Sequence, residues 1–135
     1  MGRSGYVDDY EETGLLNLYR AAVERAIKGK RGQAFLREML AALDALPEKR
    51  LIAEDLERDG EVCAIGSVGV KRGLDMTKLD PIEPELIADA FGIAPSLVRE
   101  IEYINDDDMG LGHANDEARF KAVRQWILEN LHDAQ

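Results

Sequence analysis

The stretch ELIADAFGIAPSLVREIE, residues 85–102, has the residue types of a helix-turn-helix, a motif that reads base edges in the DNA major groove. Ala88 is the small residue of the first helix and Gly92 makes the turn. The apolar supports that follow are Ile93, Val98 and Ile101. The side chains predicted to face outward and contact nucleic acid are Ser96, Arg99 and Tyr103. Arg99 is the only cation among them, so the attraction of this segment for phosphate is predicted to be weak.

Carboxylates are dense on the same segment and just beyond it. They are Glu100, Glu102, Asp106, Asp107 and Asp108. Regularly spaced carboxylates can stand in for phosphates against lysine and arginine side chains. We therefore predict an acidic surface that binds a host protein with a basic, nucleic-acid-binding surface. Direct nucleic-acid binding by the motif is disfavoured for the same electrostatic reason.

A basic connector follows the first periodic segment, and its cations are Lys28, Lys30, Arg31 and Arg37. Its letters GKRG, residues 29–32, suggest a phosphate loop, but position 24 is Glu where a Walker motif needs glycine, and Arg31 stands where it needs Ser or Thr. The connector is predicted to be solvated. Its alternative role is to contact an anion or an acidic partner, helped by the helix N-terminus that follows it.

No pattern of catalytic or metal-binding residues is visible. Cys63 lies in VCAIG without a nucleophile signature and is predicted to be a small buried hydrophobe, and His113 lies in a glycine-flanked loop. The loop from Asn105 to Asp116 has the composition of a calcium loop, but Met109 falls on a ligand position and has no side-chain oxygen to offer. We predict no enzyme activity, no metal and no cofactor.

The charge of the chain is concentrated towards its end. Its 135 residues have a net charge of −10, and residues 81–135 contribute −8 through four Lys or Arg and twelve Asp or Glu. One cysteine cannot form an internal disulfide, no apolar leader precedes the first helix, and no apolar run is long enough for a bilayer. These features predict a cytoplasmic protein that does not enter a membrane.

Hydrophobic periodicity supplies the elements that must position these side chains. The predicted helices cover about 13–29, 33–46, 63–72, 84–91, 95–105 and 116–134. The glycines at 66 and 69 are tolerable in a helix where another element packs close to it. A short β-hairpin or extended pair is expected near 51–63, and residues 1–12 are expected to be flexible or extended. The chain is thus predicted to be a single, mainly α domain of about six helices, with the helix-turn-helix-like pair at 84–105.

Two long stretches carry a resemblance to a known group of proteins. They are GKRGQAFLREMLAALDALPEKRLIAEDLERDGEVCAIGSVGVKRG and AFGIAPSLVREIEYIND with EARFKAVRQWI. From about Gly2 to Ile127 the chain resembles small, acidic accessory proteins of phages and prophages of Gram-negative bacteria. The resemblance implies action in the host cytoplasm and carries no catalytic residues. The loop NDDDMGLGHAND departs from the aromatic-rich loop that is usual in the group.

Three function classes follow from these observations. The first is an anti-CRISPR or anti-restriction inhibitor that occupies a basic nucleic-acid channel through its acidic surface. The second is a helix-turn-helix regulator that binds DNA or RNA through Arg99 and the basic connector. The third is an assembly or interaction protein of the phage that works through helix packing and can oligomerise.

Overall fold

The computed structural model describes Arg3, residues 15–107 and residues 112–132, with side chains from Leu18 onward in the first helix. The described residues form six α-helices and one two-stranded hairpin. In chain order these are α1 (Leu15–Lys28), α2 (Lys30–Ala45), β1 (Glu57–Arg58), β2 (Glu61–Val62), α3 (Ala64–Arg72), α4 (Pro84–Phe91), α5 (Pro95–Asp106) and α6 (Asp116–Asn130), with a 3₁₀ turn at Met76–Lys78 between α3 and α4. The predicted mainly helical domain of about six helices is confirmed, and so is the hairpin near 51–63. The prediction for residues 1–12 lies outside the described residues, except at Arg3.

The turn between α1 and α2 is tighter than the sequence indicated. Helix α2 begins at Lys30 rather than at residue 33, so Gly29 alone separates it from α1. A Cβ on Gly32 would lie 1.8 Å from the carbonyl oxygen of Ala26, so only glycine lets the two helices approach this closely. The basic connector is therefore not a loop, because its residues belong to the last turn of α1 and to α2.

Helix α3 tolerates its glycines because other elements pack directly against them. The hairpin folds over Gly66, where a Cβ would lie 1.9 Å from the carbonyl oxygen of Leu56. That carbonyl accepts a hydrogen bond from the backbone N–H of Cys63 at 3.1 Å. At Gly69 a Cβ would lie 2.3 Å from the sulfur of Met76. The prediction that close packing explains these small residues is confirmed.

Helix α5 lies at the centre of the fold, where it packs against α1, α3, α4 and α6. Helix α2 contacts α1, α3 and α6. The apolar side chains between these helices form one core, in which Leu36, Leu43, Ile65, Ile87, Leu97 and Ile127 are fully buried. Because neighbours surround α5, only its first residue, Pro95, is exposed.

Substitution of Gly66 tests the contact between α3 and the hairpin. In an open helix, Gly→Ala stabilises by about 1 kcal/mol. Here the added methyl group collides with the Leu56 carbonyl, so we expect Gly66→Ala to lower the free energy of unfolding by roughly 1–3 kcal/mol. Urea unfolding followed by circular dichroism would measure it. Val70→Ala, at a position 51% exposed on the same helix, is the control and should change stability by less than about 0.5 kcal/mol. A stabilised Gly66→Ala variant would contradict this packing.

Candidate functional site

The inward face of the helix-turn-helix pair is built as the sequence indicates. Gly92 ends α4 in the left-handed region at φ 75°, and its N–H donates to the carbonyl of Ala88 at 2.8 Å. Ala88 is 2% exposed, which fits the close crossing of α4 and α5 at this point. The apolar supports are also buried, namely Ile93, Val98 and Ile101. The shape of the motif is therefore present.

The face of α5 that would read a groove is covered by α1. Arg99 is half-buried, lies 6.0 Å from the ring centroid of Tyr19, and approaches Glu85 at 3.5 Å. Ser96 and Tyr103 are half-buried as well. A recognition helix needs one free face to enter a major groove about 12 Å wide. The structure does not leave α5 such a face, so this pair is a core element that shares the geometry of the motif.

The predicted acidic surface is wrong for Glu100 and Glu102, which are 3% and 0% exposed. An oxygen of Glu100 accepts a hydrogen bond from Arg20 of α1 at 2.7 Å. The side chain of Asp106 is 3% exposed and is held by Arg3. These carboxylates turn inward because α5 packs against four other helices, and burial of a carboxylate requires a cation or donors beside it.

Of the two remaining acidic residues, one has a structural role and the other lies outside the described residues. Asp107 ends α5 in the left-handed region at φ 55°, and an oxygen of its side chain accepts from the N–H of Gly112 at 3.1 Å. It is half-buried and closes the turn after α5. Asp108 lies outside the described residues. No continuous acidic surface is therefore formed by the described members of the predicted set.

Arg3 fills a buried pocket that the sequence did not reveal. Its Nε donates to Asp106 Oδ2 at 2.6 Å and its Nη2 to Asp106 Oδ1 at 3.0 Å. Its Nη1 lies 3.6 Å from the carboxylate of Glu102 and 3.8 Å from the sulfur of Cys63. Burial alone would lower the pKa of Arg3. The carboxylates of Asp106 and Glu102, together with the charge that Cys63 acquires when its thiol ionises at high pH, outweigh burial and raise that pKa above its ordinary value. The guanidinium thus stays charged inside the fold.

Asn105 connects this pocket to the rest of the core. Its side-chain oxygen accepts from the N–H of Ala64 at 3.0 Å, and its amide nitrogen donates to the carbonyl of Ile52 at 2.9 Å and to Asp106 at 2.7 Å. One signal for it exists in the sequence, since Asn105 continues the inward spacing of Val98 and Ile101 along α5. Arg3 carries no such signal, because nothing near it in the sequence indicates a buried position.

Cys63 is buried, as predicted, and has a structural part to play. Its sulfur accepts from the N–H of Gly66 at 3.3 Å and so caps the start of α3. Burial raises the pKa of its thiol, against the opposing influence of Arg3, so the thiol stays neutral at pH 7.

A ring nitrogen of His113 lies 2.9 Å from the carbonyl oxygen of Ile104. Among the described residues, no cluster of His, Cys, Asp and Glu side chains could hold a metal ion.

The basic connector is the part of the predicted site that stays exposed. Lys28, Lys30, Arg31 and Arg37 are all exposed, and so is Arg25, one turn before Lys28 on α1. We call these five residues the basic patch. Part of it borders a groove of about 200 Å³, which is lined by Arg25, Ala26, Gly29, Lys30, Arg31, Gly32, Ala94 and Leu97. The groove lies between the α1–α2 turn and the start of α5, so the fold brings the connector beside the N-terminus of the predicted recognition helix.

Removal of Arg20 tests whether the α5 carboxylates act inside the fold. Arg20→Ala leaves buried Glu100 without this cation, so we expect the free energy of unfolding to fall by about 2 kcal/mol. Adding Glu100→Gln to Arg20→Ala should restore much of that loss, because the buried charge is removed. Urea unfolding at neutral pH measures both effects. Arg124→Ala, which breaks an exposed pair with Asp44, is the control and should change little. Equal effects of the two alanine variants would contradict a buried role for Glu100.

Comparison with known protein families, curated proteins and solved structures finds no match for this chain. Among the helices of the described residues, none has the length and apolarity that a bilayer crossing requires. The geometry of the site is therefore the basis for assigning a function.

Proposed function

We propose that this chain is a non-catalytic binding protein that engages an acidic surface of a partner protein through its basic patch. One observation carries the proposal. Within the described residues, the arginines that form an ion pair with a carboxylate are Arg3, Arg20, Arg50, Arg58, Arg72, Arg99, Arg119 and Arg124. The other three arginines are Arg25, Arg31 and Arg37, and all three belong to the basic patch.

An acidic chain has many carboxylates with which to neutralise its cations. Arginines that remain exposed beside that excess can bind a partner without first giving up an internal ion pair. The patch is also ordered by the helices that carry it, since Arg25 and Lys28 share a face of α1 and Lys30 and Arg37 lie two turns apart on α2. An array held on helices loses little backbone freedom on binding.

The sign of the surrounding surface favours a compact acidic protein over a nucleic acid. The chain has a net charge of −10. Helix α4, which precedes α5, and the loop before α4 carry four exposed carboxylates, namely Asp80, Glu83, Glu85 and Asp89. A nucleic acid is a long polyanion, so its phosphates would extend from the patch onto this negative surface. A local acidic patch on a protein can contact the basic patch within one Debye length of about 8–10 Å and stay away from the negative surface around it.

The resemblance to phage accessory proteins favours a host protein as the partner. Inhibition of a host defence complex remains compatible with this proposal. The inhibitory interface would then be basic, whereas the sequence indicated an acidic one. The acidic set Glu100, Glu102 and Asp106 faces inward and supports no such interface. Alternatively, the same basic patch binds another phage protein during assembly, which is also compatible with the proposal.

Charge reversal on the basic patch tests the proposal. The variant Lys28→Glu/Lys30→Glu/Arg31→Glu is compared with Lys71→Glu/Lys78→Glu/Lys121→Glu, which changes the net charge equally at exposed lysines elsewhere. The probe is a fluorescein-labelled decaglutamate peptide, measured by anisotropy at low salt. We expect the patch variant to lose at least about tenfold in affinity, equivalent to about 1.4 kcal/mol, and the control variant to lose much less.

A labelled single-stranded 20-mer DNA is the second probe. If the DNA binds more tightly than the peptide and the patch variant abolishes that binding, the partner is a nucleic acid and the proposal is overturned. Absence of binding to the peptide at about 50 µM protein, within the range of weak electrostatic association, would overturn it as well. Equal losses in the two charge-reversal variants would show that net charge, not the patch, controls binding.

A further inference from the structure

The guanidinium of Arg3 is held in the manner of a bound ligand. Each of its three nitrogens has a partner, because Nε and Nη2 meet the two oxygens of Asp106 at 2.6 and 3.0 Å, and Nη1 faces Glu102 and Cys63. The side chain of Arg3 is 3% exposed. The group is therefore enclosed and is recognised along its whole fork, not only by its charge.

The walls of this pocket are fixed by the fold independently of Arg3. Asp106 Oδ1 also accepts from the amide of Asn105 at 2.7 Å and from the N–H of Glu54 at 3.1 Å. Asn105 is itself held by backbone groups of Ala64 and Ile52. Cys63 is fixed as the cap of α3. Asp106 and Cys63 thus keep their positions through bonds to three separate parts of the chain.

Arg3 is connected to the fold differently from the residues that form its pocket. The contacts that the structure describes for Arg3 are made by its guanidinium, and residues 4–14 separate it in sequence from α1. No described helix or strand is continuous with it. Removing Arg3 would take this cation away from the buried carboxylates of Glu102 and Asp106, and a cation that fits the same place would relieve the cost.

We propose that Cys63, Glu102 and Asp106 form a guanidinium-binding pocket, which Arg3 fills from its own chain and which an arginine side chain or a small guanidinium compound can fill in its place. The planar fork of Asp106 and the flanking sulfur suit a guanidinium better than an ammonium, which has no side-by-side pair of N–H groups to match two carboxylate oxygens. This site differs in residues, charge and burial from the basic patch, so it stands apart from the proposed function.

Chemical rescue of Arg3→Ala in the full chain tests the pocket. The ligands are methylguanidinium and L-argininamide, and the matched controls are methylammonium and L-lysinamide at the same ionic strength. Thermal unfolding followed by circular dichroism should show a rise in Tm of roughly 5 °C for a guanidinium ligand at ten times its Kd. The ammonium compounds should raise Tm by less than about 1 °C, since they lack the fork. The unsubstituted protein should not respond, because Arg3 occupies its pocket.

Two further arms identify the site and the source of the ligand. Arg124→Ala removes the arginine that pairs with the exposed carboxylate of Asp44, and its Tm should not respond to guanidinium compounds. The double variant Arg3→Ala/Asp106→Asn should lose the response that Arg3→Ala shows. A stronger effect of L-argininamide than of methylguanidinium indicates an arginine side chain from another chain as the ligand, and the reverse order indicates a small guanidinium compound; both results support the pocket.

Other results would overturn the proposal. They are equal shifts with guanidinium and ammonium ligands, no shift with any ligand, or an unchanged response in Arg3→Ala/Asp106→Asn. If Arg3→Ala does not fold alone, its refolding from urea is measured with each ligand present. Recovery of helical signal with methylguanidinium and not with methylammonium supports the pocket, and failure to recover with either overturns it.

Discussion

Burial of carboxylates on the central helix is the constraint on which the rest of this structure depends. Helix α5 is surrounded by α1, α3, α4 and α6 and still carries Glu100, Glu102 and Asp106 within its covered length. A carboxylate can be taken out of water only if cations and donors replace its hydration. Arg20 and Arg3 supply the cations and Asn105 orders the neighbouring backbone. Helix α1 and the side chain of Arg3 are thereby committed to covering α5.

This commitment determines which charges remain for a partner. Most arginines are used within the fold, as Arg72 is when it joins Glu38 across α2 and α3 with its guanidinium over the rings of Phe35 and Phe91. Among the described residues, the exposed arginines outside these ion pairs are Arg25, Arg31 and Arg37, and they lie on the last turns of α1 and on α2. A protein with a strongly negative total charge can therefore still present a positive surface, because net charge says nothing about which side chains are internally paired.

The helix-turn-helix pair illustrates how a shape can persist without its usual role. The close crossing of α4 and α5 requires a small residue at Ala88, and the left-handed turn requires glycine at Gly92. Both requirements hold whether or not α5 contacts DNA. The half-buried state of Arg99 depends in part on Tyr19 of α1, which is remote in sequence. The inward residues of the motif therefore predicted structure correctly, whereas its outward residues predicted a surface that does not exist.

The sequence by itself determined the helical segments, the turn at Gly92 and the short hairpin, and it indicated that some other element packs close to Gly66 and Gly69. The first three features follow from local periodicity and backbone conformation, which act between near neighbours. Only the tertiary structure decided that Glu100, Glu102 and Asp106 face inward, that Arg3 fills a buried pocket, and that the basic patch borders the start of α5. The physical reason is that charge is expected on a helix surface, and a periodic pattern cannot reveal that distant segments cover that surface and neutralise its charges.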